Sequence, residues 1–155
     1  MRAVMFDTYG GPDVLGVRQV PEPHAGRAQV RIRVRAASIN LIDCKRRRGE
    51  LDDGRSLTTP TGLGVDGAGV IDEIGDDVSG WTVGDEVIGI GQDVQAEYAT
   101  LAAWATKPAA MDWESAGAMG LIGETATRGL TLLGIGAGDT VFIDGASGGV
   151  GTLAI

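Results

Sequence analysis

A glycine-rich segment near the end of the sequence has the spacing that most directly suggests chemistry. It reads Ala146-Ser147-Gly148-Gly149-Val150-Gly151 and follows an apolar run, Val141–Ile143. The G-x-G-x-x-G turn that joins a strand to a helix and holds a pyrophosphate has this spacing, here with Ala in place of the first glycine. Gly148 would let the backbone approach the phosphate, and Gly151 would let the helix pack against the strand. The free N–H groups at the helix N-terminus would then bind the negative charge.

This turn requires a buried strand before it and further strands beside it. Val141–Ile143 is short and wholly apolar, which is typical of a buried parallel strand. One βαβ unit needs about 30 residues or more, whereas 17 residues run from Asp139 to Ile155. The acidic residue expected about 20 positions after the turn, which would bind the adenosine ribose, lies beyond this sequence. We therefore expect the incomplete start of a dinucleotide-binding domain.

The residues before this segment predict a β-rich domain. Strand-like runs cover residues 2–6, 14–20, 29–36, 67–75, 86–90 and 97–101. In the clearest run, apolar residues from Val30 to Ala36 alternate with three arginines, which indicates one dry and one solvated face. Many short strands separated by glycine turns favour a barrel or sandwich for residues 1 to about 107.

Helices are predicted in three places. Residues 40–48 are expected to form one or two helical turns, and residues 52–64 a loop. Asp112 is placed to be the N-cap of a further helix. Glu124–Leu133 is predicted to be another helix, ended by the glycines at 134 and 136.

Composition and charge exclude several classes of protein. The chain has 155 residues, 43% hydrophobic, with 26 glycines and one cysteine, Cys44, so an intramolecular disulfide and a thiolate zinc cluster are excluded. No apolar run approaches the roughly 18 residues of a membrane span. Residues 1–55 hold 11 of the 13 basic residues, but aromatic residues make up only 5% of the chain. We expect a cytoplasmic protein with neither a membrane nor a nucleic-acid partner.

Several motifs in order resemble one family, the zinc-free quinone oxidoreductase branch of the medium-chain dehydrogenases/reductases. They are found at residues 10–15, 30–43, 64–71, 84–89, 96–99, 125–126 and 146–151. The resemblance implies a mainly β, GroES-like barrel-type domain over residues 1–120 with connecting helices. Residues 121–155 would supply a linking helix and the first βα element of a Rossmann fold.

The same resemblance implies an activity and its partners. Members reduce quinones or α,β-unsaturated carbonyls by hydride transfer from NADPH, and the full-length protein is expected to be a homodimer. The zinc-dependent branch has a Cys where Asn40 stands and a His where Val65 stands. We therefore expect no catalytic metal.

By resemblance, the catalytic residues are Asn40, Asp43 and Lys45. The cofactor-binding residues are Asn40, Thr125, Ser147, Gly148, Gly149, Val150 and Gly151. Asp43 could instead have a structural role in the Asn40–Asp43 turn. Lys45 stands where many quinone reductases have a Tyr, and it could be one more solvated base. Arg47 would touch the cofactor or lie on the surface.

A second hypothesis is a non-catalytic GroES-like fragment or truncated module that binds no cofactor. It would share the barrel but lack the adenine and ribose sites.

Overall fold

The computed structural model describes residues 1–53 and 55–155. The strands are β1 (Arg2–Phe6), β2 (Gly16–Gln19), β3 (Val30–Ala37), β4 (Thr61–Gly62), β5 (Asp66–Ile74), β6 (Glu86–Gly91) and β7 (Tyr98–Thr106). The α-helices are α1 (Leu41–Arg47), α2 (Trp113–Gly117), α3 (Met119–Leu132) and α4 (Gly149–Leu153), and a 3-10 turn covers Pro12–Val14.

Four strands close into an antiparallel barrel in the order β3-β5-β6-β7, with β7 returning to β3. Its core contains seven buried side chains: Val30, Ile32, Ile71, Val87, Val94, Ala99 and Leu101. Alternate residues of each strand point inward, so the short apolar runs of the sequence are enough to fill the interior. The predicted barrel is confirmed for this part of the chain.

A second, three-stranded sheet lies beside the barrel with the order β2-β1-β4. It is tied to the segment before β7 by a bridge between Ala3 and Ala96 and by a 2.9 Å hydrogen bond from the Val4 N–H to the Gln95 carbonyl. The predicted loop at 52–64 therefore contains the short strand β4.

The arginine face of β3 is not uniformly solvated, which corrects the expectation from the alternation. Arg31 is only 12% exposed, and its Nε and Nη2 donate to the two carboxylate oxygens of Asp72, each at 3.0 Å. Its guanidinium also lies 5.2 Å from the ring centroid of Tyr98. The charge is tolerated because a bidentate carboxylate and an aromatic face replace the lost water.

The connecting helices begin as the capping rules predict, with one exception. Asp112 caps α2 by accepting from the Ser115 N–H at 2.6 Å. Helix α3 begins at Met119, five residues before the predicted start at Glu124. Gly120 and Gly123 lower the helical propensity of this first turn, but contacts with the barrel hold it in place.

The predicted buried strand Val141–Ile143 is wrong for this structure. These residues form no strand, and Phe142 is 91% exposed. A strand needs neighbours to take up its N–H and C=O groups, and no described segment pairs with these residues.

Among the described residues, no helix combines the length and apolar character needed to cross a bilayer.

Candidate functional site

Asn40 and Asp43 form a compact turn at the start of α1. The backbone N–H of Asn40 donates to Asp43 Oδ2 at 2.7 Å, and the Gly64 N–H donates to Asp43 Oδ1 at 3.0 Å. Asp43 is only 3% exposed. Because both of its oxygens bind backbone N–H groups, this carboxylate holds the helix start and the segment before β5 together. The geometry supports the structural alternative for Asp43.

The side chain of Asn40 is held on one side by two acceptors. Its Nδ2 lies 2.6 Å from Ser38 Oγ and 2.8 Å from Asp66 Oδ1. Ser38 Oγ itself donates to Asp66 Oδ1. The two acceptors are in contact with each other, so they lie on the same side of Nδ2, where one N–H bond can serve both. The second N–H of this half-buried amide remains available to a ligand.

Thr125 is half-buried on α3, one helical turn after Leu121. Its hydroxyl donates to the Leu121 carbonyl at 2.7 Å. Since a hydroxyl has one O–H bond and two lone pairs, Thr125 can only accept a hydrogen bond from a ligand.

The glycine-rich turn has little free space inside it. A Cβ at Gly151 would lie 2.3 Å from the Gly145 carbonyl oxygen and 2.6 Å from the Ala146 Cα. Gly145 has a φ of +78°, in the left-handed region that glycine adopts most easily. Gly148 is the N-cap of α4, and the residues from Ser147 to Val150 are exposed. The local geometry therefore matches the predicted turn, although the strand before it is missing.

This turn lies against α3. A Cβ at Gly149 would be 3.5 Å from Ile122 Cδ1, and one at Gly123 would be 3.8 Å from Leu153 Cδ1. Helix α3 therefore connects the turn to Thr125, and through its N-terminus to the barrel.

The remaining basic residues of α1 differ in burial. Lys45 is exposed, and no described contact ties its side chain to the Asn40 network. Arg47 is only 6% exposed, so the surface alternative is wrong for it. Its Nε is buried without a hydrogen-bond partner among the described residues.

Residues 26–130 of the chain match the model of the alcohol dehydrogenase GroES-like domain family. The chain belongs to this family. It is 35% identical over 168 residues to the 2-methylene-furan-3-one reductase of Solanum lycopersicum, covering 100% of the chain and 43% of that protein. It is 35% identical to the quinone oxidoreductase of Pseudomonas aeruginosa, covering 99% of the chain and 48% of that protein.

Solved structures agree with this assignment. Mycobacterial Rv1454c, solved in complex with NADPH, superposes with a TM-score of 0.85 at 30% identity, covering 99% of this chain and 48% of that one. The chain spans about half the length of the relatives it matches. The predicted resemblance to quinone oxidoreductases of the medium-chain superfamily is confirmed, and so is the mainly β, GroES-like fold.

Three residues of this GroES-like domain were missed as site residues at the sequence level: Ser38, Asp66 and Gly120. Asp66 is fully buried at the start of β5, where it accepts from Ser38, from Asn40 and from the Leu121 N–H. A lone acidic residue in the otherwise uncharged run from residue 56 to 71 is a usable signal, since a buried charge needs partners. The identity of those partners depends on the fold.

The donor types at the two zinc-ligand positions of the related branch do not suit a metal. Asn40 offers an amide and Val65 an aliphatic side chain, whereas zinc prefers thiolate, imidazole and carboxylate ligands. Within residues 1–53 and 55–155, no three His, Cys, Asp or Glu side chains are grouped so as to hold a metal ion.

A separate groove of 520 Å³ lies between β1 and β3. It is mostly apolar, and Val17 and Ile39 line it. None of the predicted site residues lines this groove, although Ile39 precedes Asn40 in the chain. The polar network around Asn40, and not this groove, brings the predicted residues together.

Proposed function

We propose that this chain is the barrel-bearing part of an NADPH-dependent reductase that works without zinc and transfers hydride to a quinone or an α,β-unsaturated carbonyl. One observation carries the proposal: Asn40 is hydrogen-bonded into a network that reaches α3, which bears Thr125 and packs against the glycine-rich turn. The names of the relatives support the same class, since one reduces a methylene-furanone and one a quinone.

The residues present fit NADPH at both ends of this arrangement. The turn from Ser147 to Gly151 would hold the pyrophosphate on exposed backbone N–H groups, and the tight packing at Gly151 keeps these groups in place. Asn40 and Thr125 would flank the nicotinamide. NADPH supplies the hydride when it is bound.

The chain's own side chains divide the remaining work. The second N–H of Asn40 donates to an oxygen that gains negative charge as the substrate is reduced, which is the interaction that lowers the barrier. Thr125 accepts a hydrogen bond from the bound ligands, because its own O–H is committed to Leu121. Asp43 positions Asn40 without touching substrate, and Lys45, which is exposed two residues further along α1, would add positive charge on the solvent side.

The activity is tested by NADPH oxidation with a quinone and with an enone, with and without a chelator. We expect turnover that the chelator does not change. Asn40→Ala is expected to lower kcat about 10²- to 10³-fold, the usual loss of one oxyanion donor. Arg33→Gln, at an exposed position on the outer side of β3, serves as the matched control and should keep wild-type kcat. Alcohol oxidation that the chelator abolishes would disprove the zinc-free reductase.

A second candidate is a GroES-like module that binds no cofactor. It is favoured by the unpaired Val141–Ile143 segment, in which Phe142 is exposed, since a nucleotide needs a paired strand beneath the turn. Calorimetry on the 155-residue chain separates the two candidates. Micromolar NADPH binding would rule out the module, and its absence together with inactivity of a longer protein would support it. The cytoplasmic location and the homodimer remain predictions.

A further inference from the structure

We infer that Asp66 is a positioning residue that sets the placement of Asn40 relative to Thr125. The inference rests on the proposed function of those two residues. Asp66 is fully buried at the start of β5, so it does not reach a ligand itself. Its two carboxylate oxygens are directed to two different elements of the fold.

The first oxygen serves the loop before α1. Oδ1 accepts from Ser38 Oγ and, at 2.8 Å, from Asn40 Nδ2. The Asp66 carbonyl also accepts from the Ser38 N–H at 3.3 Å. This arm turns the nitrogen of the Asn40 amide toward the barrel and thereby decides where its second N–H lies.

The second oxygen serves α3. Oδ2 accepts from the Leu121 N–H at 2.7 Å. The carbonyl oxygen of Leu121 accepts from the Thr125 hydroxyl, also at 2.7 Å. Leu121 therefore links the carboxylate to Thr125, and both predicted nicotinamide neighbours depend on one buried side chain.

Gly120 allows α3 to come close enough to Asp66 for the hydrogen bond from the Leu121 N–H. A Cβ at position 120 would lie 2.8 Å from Asp66 Cβ and 2.8 Å from the Gly89 carbonyl oxygen. Only glycine lets the first turn of α3 approach the barrel closely enough for the Leu121 N–H to reach Oδ2.

A neutral amide cannot replace this carboxylate, because it has one acceptor atom and one donor group. In Asp66→Asn, the new NH₂ group must face either the Leu121 N–H or the donors on the Asn40 side. One arm is therefore lost. The variant keeps the size and shape of the side chain, so packing in the barrel is little changed.

The positioning role is tested first by NMR on the 155-residue protein without cofactor. The reporters are the side-chain amide of Asn40 and the backbone amide of Leu121. Asp66→Asn should shift the proton resonance of at least one of these two amides upfield and speed its hydrogen exchange. Gly120→Ala should shift the amide resonance of Leu121 and leave the side-chain amide resonance of Asn40 unchanged. Asp72 lies on the same strand but is hydrogen-bonded to Arg31, so Asp72→Asn should shift neither resonance. Unchanged reporters in Asp66→Asn would overturn the inference.

The second test uses the protein that oxidises NADPH in the assay of the proposed function. A displacement of about 1 Å can cost on the order of 10²-fold in rate, so Asp66→Asn should lower kcat about a hundredfold. The KM for NADPH should change little, because the phosphate turn is untouched. Asp72→Asn should lower stability but keep kcat. Equal kcat values in the two variants would show that Asp66 is merely structural.

Two further arrangements keep the result decisive. If Asp66→Asn does not fold, Gly120→Ala replaces it, with the same expected loss of kcat and the same control. If the wild-type protein shows no NADPH-dependent reduction, the proposed function fails, whereas the NMR reporters still decide whether Asp66 positions Asn40 and Leu121.

Discussion

The barrel and the end of the chain, residues 127–155, differ sharply in how their apolar residues are covered. In the barrel, seven apolar side chains are buried to 2% exposure or less. Of residues 127–155, all of which the structure describes, none is buried, and Leu132, Leu133 and Phe142 are at least 75% exposed.

This difference shows that some features of the fold depend on residues nearby in sequence and others on residues distant in sequence. The left-handed Gly145 and the tight packing at Gly151 arise from neighbours within six residues, so they form without a core. The strand expected at Val141–Ile143 depends on partners distant in sequence, and it is absent. In the barrel, β3 pairs with β5 and β7 at long range, and that pairing buries its side chains.

The largest contrast should come from truncating one large apolar side chain in each region. Leu101→Ala removes a fully buried core residue and should lower the free energy of unfolding by about 2–5 kcal/mol. Phe142→Ala removes an exposed ring and should change it by no more than about 0.5 kcal/mol. Urea denaturation measures both. A comparable loss in Phe142→Ala would show that residues 127–155 have a core of their own.

Adding a methyl group to a crowded glycine should give a smaller contrast. A Cβ at Gly91 would lie 2.1 Å from the Thr100 carbonyl oxygen in the barrel, much as one at Gly151 would crowd Gly145. Gly91→Ala should cost about 1–3 kcal/mol by urea denaturation, because two paired strands must separate. Gly151→Ala should leave the unfolding midpoint unchanged and only speed hydrogen exchange in α4. Equal shifts in the midpoint would mean that the turn unfolds with the barrel.

Removing one charge in each region should give a third, smaller contrast. Arg31→Met breaks the half-buried pair with Asp72 and should cost about 1–3 kcal/mol, since it leaves a partly desolvated carboxylate without its partner. Arg128→Met removes an exposed pair with Glu124 on α3 and should cost at most about 0.5 kcal/mol. Thermal unfolding at low and high salt checks this, and only the Arg128 effect should vanish with salt.

The smallest effect concerns a loop beside the barrel. Partial burial raises the pKa of Asp93 above its usual value, and Arg46 at 3.6 Å offsets this only in part. The folded state therefore disfavours the ionised form. This penalty is present above the raised pKa and disappears as the pH falls below the usual Asp value.

Asp93→Asn should therefore stabilise the protein slightly at pH 7, by up to about 0.5 kcal/mol. Asn also suits the positive φ of 54° at this position. Melting curves between pH 3 and pH 8 should show the gain shrinking toward acid pH. A gain that grows toward acid pH would contradict the assigned sign.

The sequence allowed good prediction wherever the signal was local. The alternation from Val30 to Ala36 predicted β3, the N-cap Asp112 predicted α2, and the glycine spacing predicted the turn before α4. It did not predict the burial of Arg31, because Asp72 lies 41 residues away. The Ser38–Asp66 network was missed for the same reason: nothing near Asp66 in sequence indicates that Leu121 will meet it.

The close contact at Gly120 has a consequence for engineering the cleft. Helix α3 contacts the barrel at Gly120, which has no side chain, so the size of the residue at position 120 sets the distance between the helix and the barrel. A series from Gly to Ala to Ser would lift the start of α3 in steps and stretch the hydrogen bond from the Leu121 N–H to Asp66. A wider gap between the barrel and α3 would therefore come with a lower kcat, so the width of this gap and the rate of reaction are coupled through one glycine.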